Sequence, residues 1–408
     1  MGLELNFDET KVPEYDLLDP LFCLDGTKVT DGKLWFRKRR PEILELFKHH
    51  VYGKMPGKPE KMSFEIKSID KGALKGKATR KEISVFIRDK QNEIIMNILI
   101  YLPNNQPKPS ATFIGLNFYG NHTIHQDPDI TLSNQWMPTK IAYGIVKHRA
   151  TEASRGVRCS KWPVELIIDR GYALSTIYCG DIDPDFDDGF QNGVHPLFYK
   201  DGKTKPAENE WGTIGAWAWG LSRAMDYLEN DDDIDHNRVI VIGHSRLGKA
   251  ALWAGANDQR FATIISNNSG CGGAALFHRQ FGETISFVNL MYPHWFCKNF
   301  ENYNDNEDEL PVDQHMLISL IAPRPVYIAS AEQDLTSDPR GEFLSCKYAD
   351  PVYKMLGTDG LKGDEMPKIY QPILSTIGYH IREGEHDLLK YDWERYLDFA
   401  NYHFDTIP

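Results

Sequence analysis

The chain has 408 residues, 41% of them hydrophobic and 12% aromatic, which supplies the apolar surface for a large core and excludes a disordered protein. Its formal net charge of -12, from 46 Lys and Arg against 58 Asp and Glu, repels polyanions, so nucleic acid is not an expected partner and an anionic substrate has to be held by local cations. No run of eighteen or more apolar residues occurs, which argues against a membrane-spanning helix and a membrane partner.

In chain order, the opening MGLELNFDET lacks the basic start and apolar run of a secretion signal. Met1-Gly2 is read as a new start left after a signal was removed, with a secreted or periplasmic location expected and a cytoplasmic one the alternative. A basic helical patch over 32–51 is followed by period-2 segments at 82–88 and 94–102, read as antiparallel strands of an N-terminal layer spanning residues 1–110. From residue 111 the pattern changes to short β-branched runs at 112–118, 172–179, 238–242, 262–266, 325–330 and 371–379. The first five fit buried parallel strands. Helices are expected between them at 162–169, 213–228, 247–256, 312–321 and 388–403. This alternation predicts an α/β protein, a doubly wound, mostly parallel sheet with helices on both faces, built as one domain over 1–408 with its core in 111–408. Ligands of such sheets bind outside the carboxyl ends of the strands. Two long polar segments, near 181–205 and 298–313, are either substrate-binding loops or plain surface insertions.

Cys23, Cys159, Cys179, Cys271, Cys297 and Cys346 form no C-x-x-C pair and no His-Cys cluster at metal-ligand spacing, so a structural zinc site is disfavoured. Disulfides and six buried thiols both stay open.

The segment RVIVIGHSRLGKAALWAGA passes from a β-branched strand directly into an Ala-rich helix, with Gly243, Ser245 and Gly248 at the junction. A serine on such a strand-to-helix turn has its hydroxyl raised above the sheet, and glycines are needed where a Cβ would strike neighbouring backbone. The motif departs from G-x-S-x-G, because Leu247 stands at the second glycine position and Gly248 follows it. The competing reading is a serine that merely caps an ordinary helix.

A hydroxyl nucleophile needs a base and an orienting acid, which in this fold class follow in the order Ser, acid, His. Asp334 lies in the loop after PVYIAS, and His386 in the loop between the last strand and the final helix. His380 is the rival histidine, and Asp338 and Asp387 compete with Asp334 as turn or cap residues.

At GHSRLGKA the sequence resembles the glucuronoyl esterases of carbohydrate esterase family 15. The likeness to bacterial members extends through GLNFYGNHT, SKWPVELIIDRGYALSTIYCGDIDPDF, WGTIGAWAWGLSRAMDYL, NNSGCGGAALFHRQFGE, APRPVYIAS, DPRGEFLS and EGEHDLL, roughly residues 110–405. The resemblance implies an α/β-hydrolase fold and hydrolysis of the ester between a 4-O-methyl-glucuronic acid branch of xylan and a lignin alcohol. It implies no metal or organic cofactor, and a monomer is expected. Residue by residue it makes Ser245 the nucleophile, His386 the base and Arg246 a helper of the oxyanion through its backbone N–H and guanidinium. It also gives Lys249 and Glu283 the hydroxyls of the glucuronoyl ring to hold.

Two positions depart from the family pattern. Asn268 stands where many members carry a catalytic glutamate, so the acid role falls to Asp334. Thr336 stands where many carry a sugar-contacting tryptophan. An acetyl xylan esterase or related deacetylase, and a carbohydrate-binding homologue that has lost catalysis, are the competing readings.

Overall fold

The computed structural model describes residues 5–89, 92–200 and 202–404. The Met1-Gly2 start and position 201 of the expected loop fall outside the described residues. Nine strands are present among them: β1 (Lys61–Ala73), β2 (Ala78–Arg88), β3 (Glu93–Pro103), β4 (Ser110–Asn117), β5 (Ala173–Tyr178), β6 (Ile234–His244), β7 (Thr263–Asn267), β8 (Val326–Ala331) and β9 (Ile377–Arg382). By its contacts the chain divides into two compact units, one of Met1–Lys54, Ala207–Gly215 and Ile242–Leu388, the other of Met55–Pro206, Ala216–Val241 and Leu389–Pro408. The division cuts β6 near its carboxyl end.

In the second unit the strands run in the order β1-β2-β3-β5-β4, antiparallel as far as β3/β5 and parallel at β4/β5. β4 and β5 are buried along their whole length, as continuous apolar runs require. Aromatic rings fill the core, with Phe113 edge-on to both Tyr172 and Trp393. β1 has no counterpart in the sequence reading. It carries Lys61, Glu65, Lys67, Asp70 and Lys71, and a bulge between Ile66 and Ser68 breaks the alternation that Met62, Phe64 and Ile66 begin.

In the first unit β7, β8 and β9 are parallel, with Ile264 opposite Val326 and Val326 opposite Ile377. The final strand begins six residues later than the expected 371 and ends at Arg382. Local polar bonds pre-empt the ladder before it: Thr376 bonds to Asp359 through both its backbone N–H and its hydroxyl, and Ser375 Oγ donates to the Ile377 carbonyl. Two helices here lacked a prediction, Ile285–Met291 and Pro339–Met355. The expected 32–51 patch is helical from Gly32 to His50, with a wide π turn at Trp35–Arg39. Its Arg40 is buried and donates to the carbonyls of Leu320 and Ala256. Tyr52 stacks on Trp253 at 4.4 Å in the middle of this core.

All six cysteines are free; five are buried and Cys159 is exposed, so neither arrangement left open by the sequence holds in full. Among the described residues no helix is long and apolar enough to cross a membrane.

Candidate active site

In the first unit, loops leave the carboxyl ends of four strands that neighbour one another in the sheet, and each brings one of the singled-out residues with it. Ser245 directly follows β6, Asn268 directly follows β7, Asp334 comes three residues after β8, and His386 four after β9. This is the edge at which an open α/β sheet presents its ligand site.

Ser245 sits between β6 and the helix Arg246–Asn257 at φ 58 and ψ -132, a backbone conformation that L-residues avoid. It stands at the N-cap position, yet its side chain makes no capping hydrogen bond, which removes the helix-cap reading. Its N–H donates to the Asn267 carbonyl at 2.9 Å, tying the turn to the end of β7. A Cβ on Gly243 would lie 1.9 Å from the Leu247 carbonyl oxygen, so the turn closes only around a glycine. Gly243→Ala is therefore expected to cost about 3 kcal/mol or more, since backbone rather than a flexible side chain must move. Thermal unfolding checks this, and an unchanged melting temperature would count against it.

His386 and Asp334 are joined directly, Nδ1 to Oδ2, at 2.6 Å. The carboxylate is 3% exposed while the imidazole is 42% exposed, so the pair is anchored at its acid end and open at its base end. Burial alone raises the Asp334 pKa, but the hydrogen bond and charge of His386, with hydrogen bonds from Ser337 and Asn268, hold it below the usual carboxylate value. The His386 ring also lies 4.7 Å from that of His244, the residue preceding Ser245. Asn268, at φ 48, donates from Nδ2 to the same Asp334 oxygen at 2.8 Å. It thus braces the Asp334 carboxylate at the oxygen that His386 also bonds, fixing that oxygen in place.

The rivals take other places. His380 is buried within β9, with Nδ1 3.0 Å from the Tyr327 hydroxyl. Asp338 caps the helix Pro339–Met355 through the Gly341 N–H and pairs with buried Arg279 at 2.8 Å. The Asp387 side chain accepts from the Leu388 N–H at 2.8 Å.

Lys249 is buried rather than solvated. Its ammonium donates to the carbonyls of Ser269 at 2.6 Å and Cys271 at 2.5 Å, and lies 3.6 Å from Glu283 Oε2. The Arg246 guanidinium is 5.1 Å from the Trp295 ring and 5.8 Å from the Tyr292 ring, which stack on each other at 3.7 Å. That stacked pair had no signal in the sequence, because its partner is reached only through the fold.

Glu342 also escaped sequence reading. It is fully buried, and its Oε1 accepts from the N–H groups of Ser269 and Gly270 while Oε2 accepts from the Ser330 hydroxyl at 2.6 Å. Burial pushes its pKa up to about 8, against the hydrogen bonds that lower it. Between an unfolded value near 4.5 and about 8, the folded state holds a proton that the unfolded state has lost. Stability from this group is therefore lost as pH rises through that window, at about 1 kcal/mol per pH unit. Glu342→Gln reproduces the protonated form and is expected to flatten that slope in denaturant titrations from pH 5 to 8; an unaltered slope would refute the assignment.

Three comparisons bear on this arrangement. A family model described as glucuronyl esterase, fungi, matches residues 198–357. Carbohydrate esterase MZ0003, from an unknown prokaryotic organism, is 52% identical over 398 residues, covering 98% of this chain and 92% of that one. A solved structure described as a promiscuous CE15 esterase from the marine bacterial metagenome superposes with a TM-score of 0.92 at 52% identity, over 98% of this chain and 100% of that one. The chain belongs to carbohydrate esterase family 15. A second family 15 structure, a glucuronoyl esterase from Solibacter usitatus, has a TM-score of 0.91 at 49% identity over 96% of this chain and 99% of that one. As a family 15 member the chain is a carboxylic ester hydrolase with the α/β-hydrolase fold that the resemblance implied.

Proposed function

We propose that this enzyme hydrolyses esters of 4-O-methyl-glucuronic acid, of the kind that link glucuronoxylan branches to lignin alcohols, by acyl transfer through Ser245. The observation that carries the reading is the 2.6 Å Asp334–His386 pair on loops from the same strand ends as the strained Ser245 turn. His386 takes the Ser245 proton as the hydroxyl attacks the ester carbonyl, and Asp334 keeps the imidazole in the tautomer that accepts it. The Arg246 guanidinium and its N–H, at a helix start where such groups lack intrahelical partners, offset the charge on the tetrahedral oxygen. The same histidine returns the proton to the departing alcohol and then activates water to release the free acid.

Several family relatives are described as 4-O-methyl-glucuronoyl methylesterases, among them one from Phanerochaete carnosa at 26% identity over 86% of this chain. The Lys249–Glu283 pair supports a uronate over an acetate, because a simple acetyl group offers nothing for the carboxylate of Glu283 to accept from. The test compares rates on methyl or benzyl glucuronate and on a nitrophenyl acetate. A higher kcat/KM on the glucuronate is expected, and a preference for the acetate would replace this reading with a deacetylase. A secreted or periplasmic site of action suits a polymeric substrate of plant walls.

A further inference from the structure

The second unit holds a cavity of about 360 Å³ that has no part in the ester chemistry described above. Its floor and walls come from β2, β3, Lys67 of β1, Asn121, the segment 131–135, Tyr178 at the end of β5 and Asp181, which follows it. Ser84 and Phe86 lie two apart on β2, opposite Asn97 and Ile95 on β3, so all four share one face of the sheet. The 131–135 wall is fixed in place, because Glu82 accepts both the N–H and the hydroxyl of Thr131. The volume falls within the roughly 300–1,000 Å³ of small-molecule sites.

The polar floor is wired from one side only. Asp181 is 6% exposed, and its Oδ2 accepts from the Asn97 N–H at 2.9 Å and from Asn97 Nδ2 at 3.2 Å. Among the described residues its Oδ1 has no hydrogen-bond partner, and no cation pairs with it. Asn97 Oδ1 in turn accepts from the Ser84 hydroxyl at 2.8 Å. Oδ1 is not sealed from solvent, and as Asp181 lines the cavity it is an acceptor that the hydroxyl of an entering ligand can reach.

We propose that this cavity binds a neutral pyranose, whose hydroxyls meet Asp181, Asn97 and Gln135 while its C–H face lies on Phe86 and Ile95. Lys67, the cation in the lining, is already paired with Glu65 at 2.9 Å, which disfavours an anion, and an apolar ligand would leave the Asp181 carboxyl without a polar partner. A metal ion is disfavoured because, among the described residues, no group of three or more His, Cys, Asp or Glu side chains gathers there, and the second carboxylate of the lining, Glu82, is taken up by Thr131 and Ser68. Burial pushes the Asp181 pKa up to about 7, so near neutrality the group both donates and accepts, as a polyol requires. The proposal does not rest on the role of Ser245.

The test is calorimetric titration of the intact enzyme with xylobiose, which is neutral and not an ester. Saturable binding is expected, weakened about tenfold or more by Asp181→Leu and by Asn134→Trp, an exposed-rim change that obstructs the mouth without touching the core. Glu283→Ala should leave it unaltered, and free glucuronate should not compete. Absence of saturable binding, indifference to Asn134→Trp, or loss in Glu283→Ala would each overturn the assignment. Because no turnover is measured, these failures are separate from failure of the ester reading.

Discussion

Ser245→Ala is expected to lower kcat on a methyl glucuronate ester by about 10⁴-fold or more while KM changes little. The effect is this large because no other hydroxyl can take the position: the turn is closed around Gly243, held by the Asn267 carbonyl, and set at a φ that alanine also has to adopt. Serine and alanine share that backbone cost, so the variant should fold with a similar melting temperature. Single-turnover and steady-state rates on the same ester check it. A residual rate within tenfold of the parent would show that the acyl group never passes through this residue.

Asp334→Asn is expected to reduce kcat by roughly 10³-fold or more, again with little change in KM. The substitution preserves volume and one acceptor oxygen, and removes the buried charge that faces the imidazole at 2.6 Å. Without that charge His386 loses both its fixed tautomer and the stabilisation of its protonated state. Asn268 cannot substitute, being an amide already committed to bracing residue 334. The measurement is kcat against pH for both proteins. A loss of less than about tenfold would move the orienting acid elsewhere.

The core of the site was legible because three chemical residue types fell at defined places relative to apolar runs. GHSRLG at a strand-to-helix switch, Asp334 after PVYIAS and His386 before the final helix all needed only local patterning. The parallel strands were legible for the same reason, since burial on both faces leaves an unbroken β-branched run. The helix Pro339–Met355 was hidden although its buried residues Phe343, Cys346, Ala349 and Tyr353 follow helical spacing. Pro351 inside it and the buried polar Glu342 and Ser345 disguised the stripe. Glu342 itself was unreadable because its partners come from residues 269, 270 and 330, and no spacing along the chain announces them. The burial of Lys249 was also invisible. Its spacing of four from Ser245 places it one helical turn on, but only the fold supplies the two carbonyls that hold it.

The division of the chain into two interleaved units bears on how the protein is made. One unit draws on residues up to Leu388, and the other needs the final helix Lys390–Phe404 to complete a core that includes Trp393 and Tyr396. During synthesis, then, neither core closes until the segments near and beyond Leu388 have left the ribosome, and the apolar faces of the early strands wait uncovered for these late partners. Halves of this 408-residue stretch cannot be shuffled as cassettes, and nascent chains stalled before Lys390–Phe404 are natural clients for chaperones.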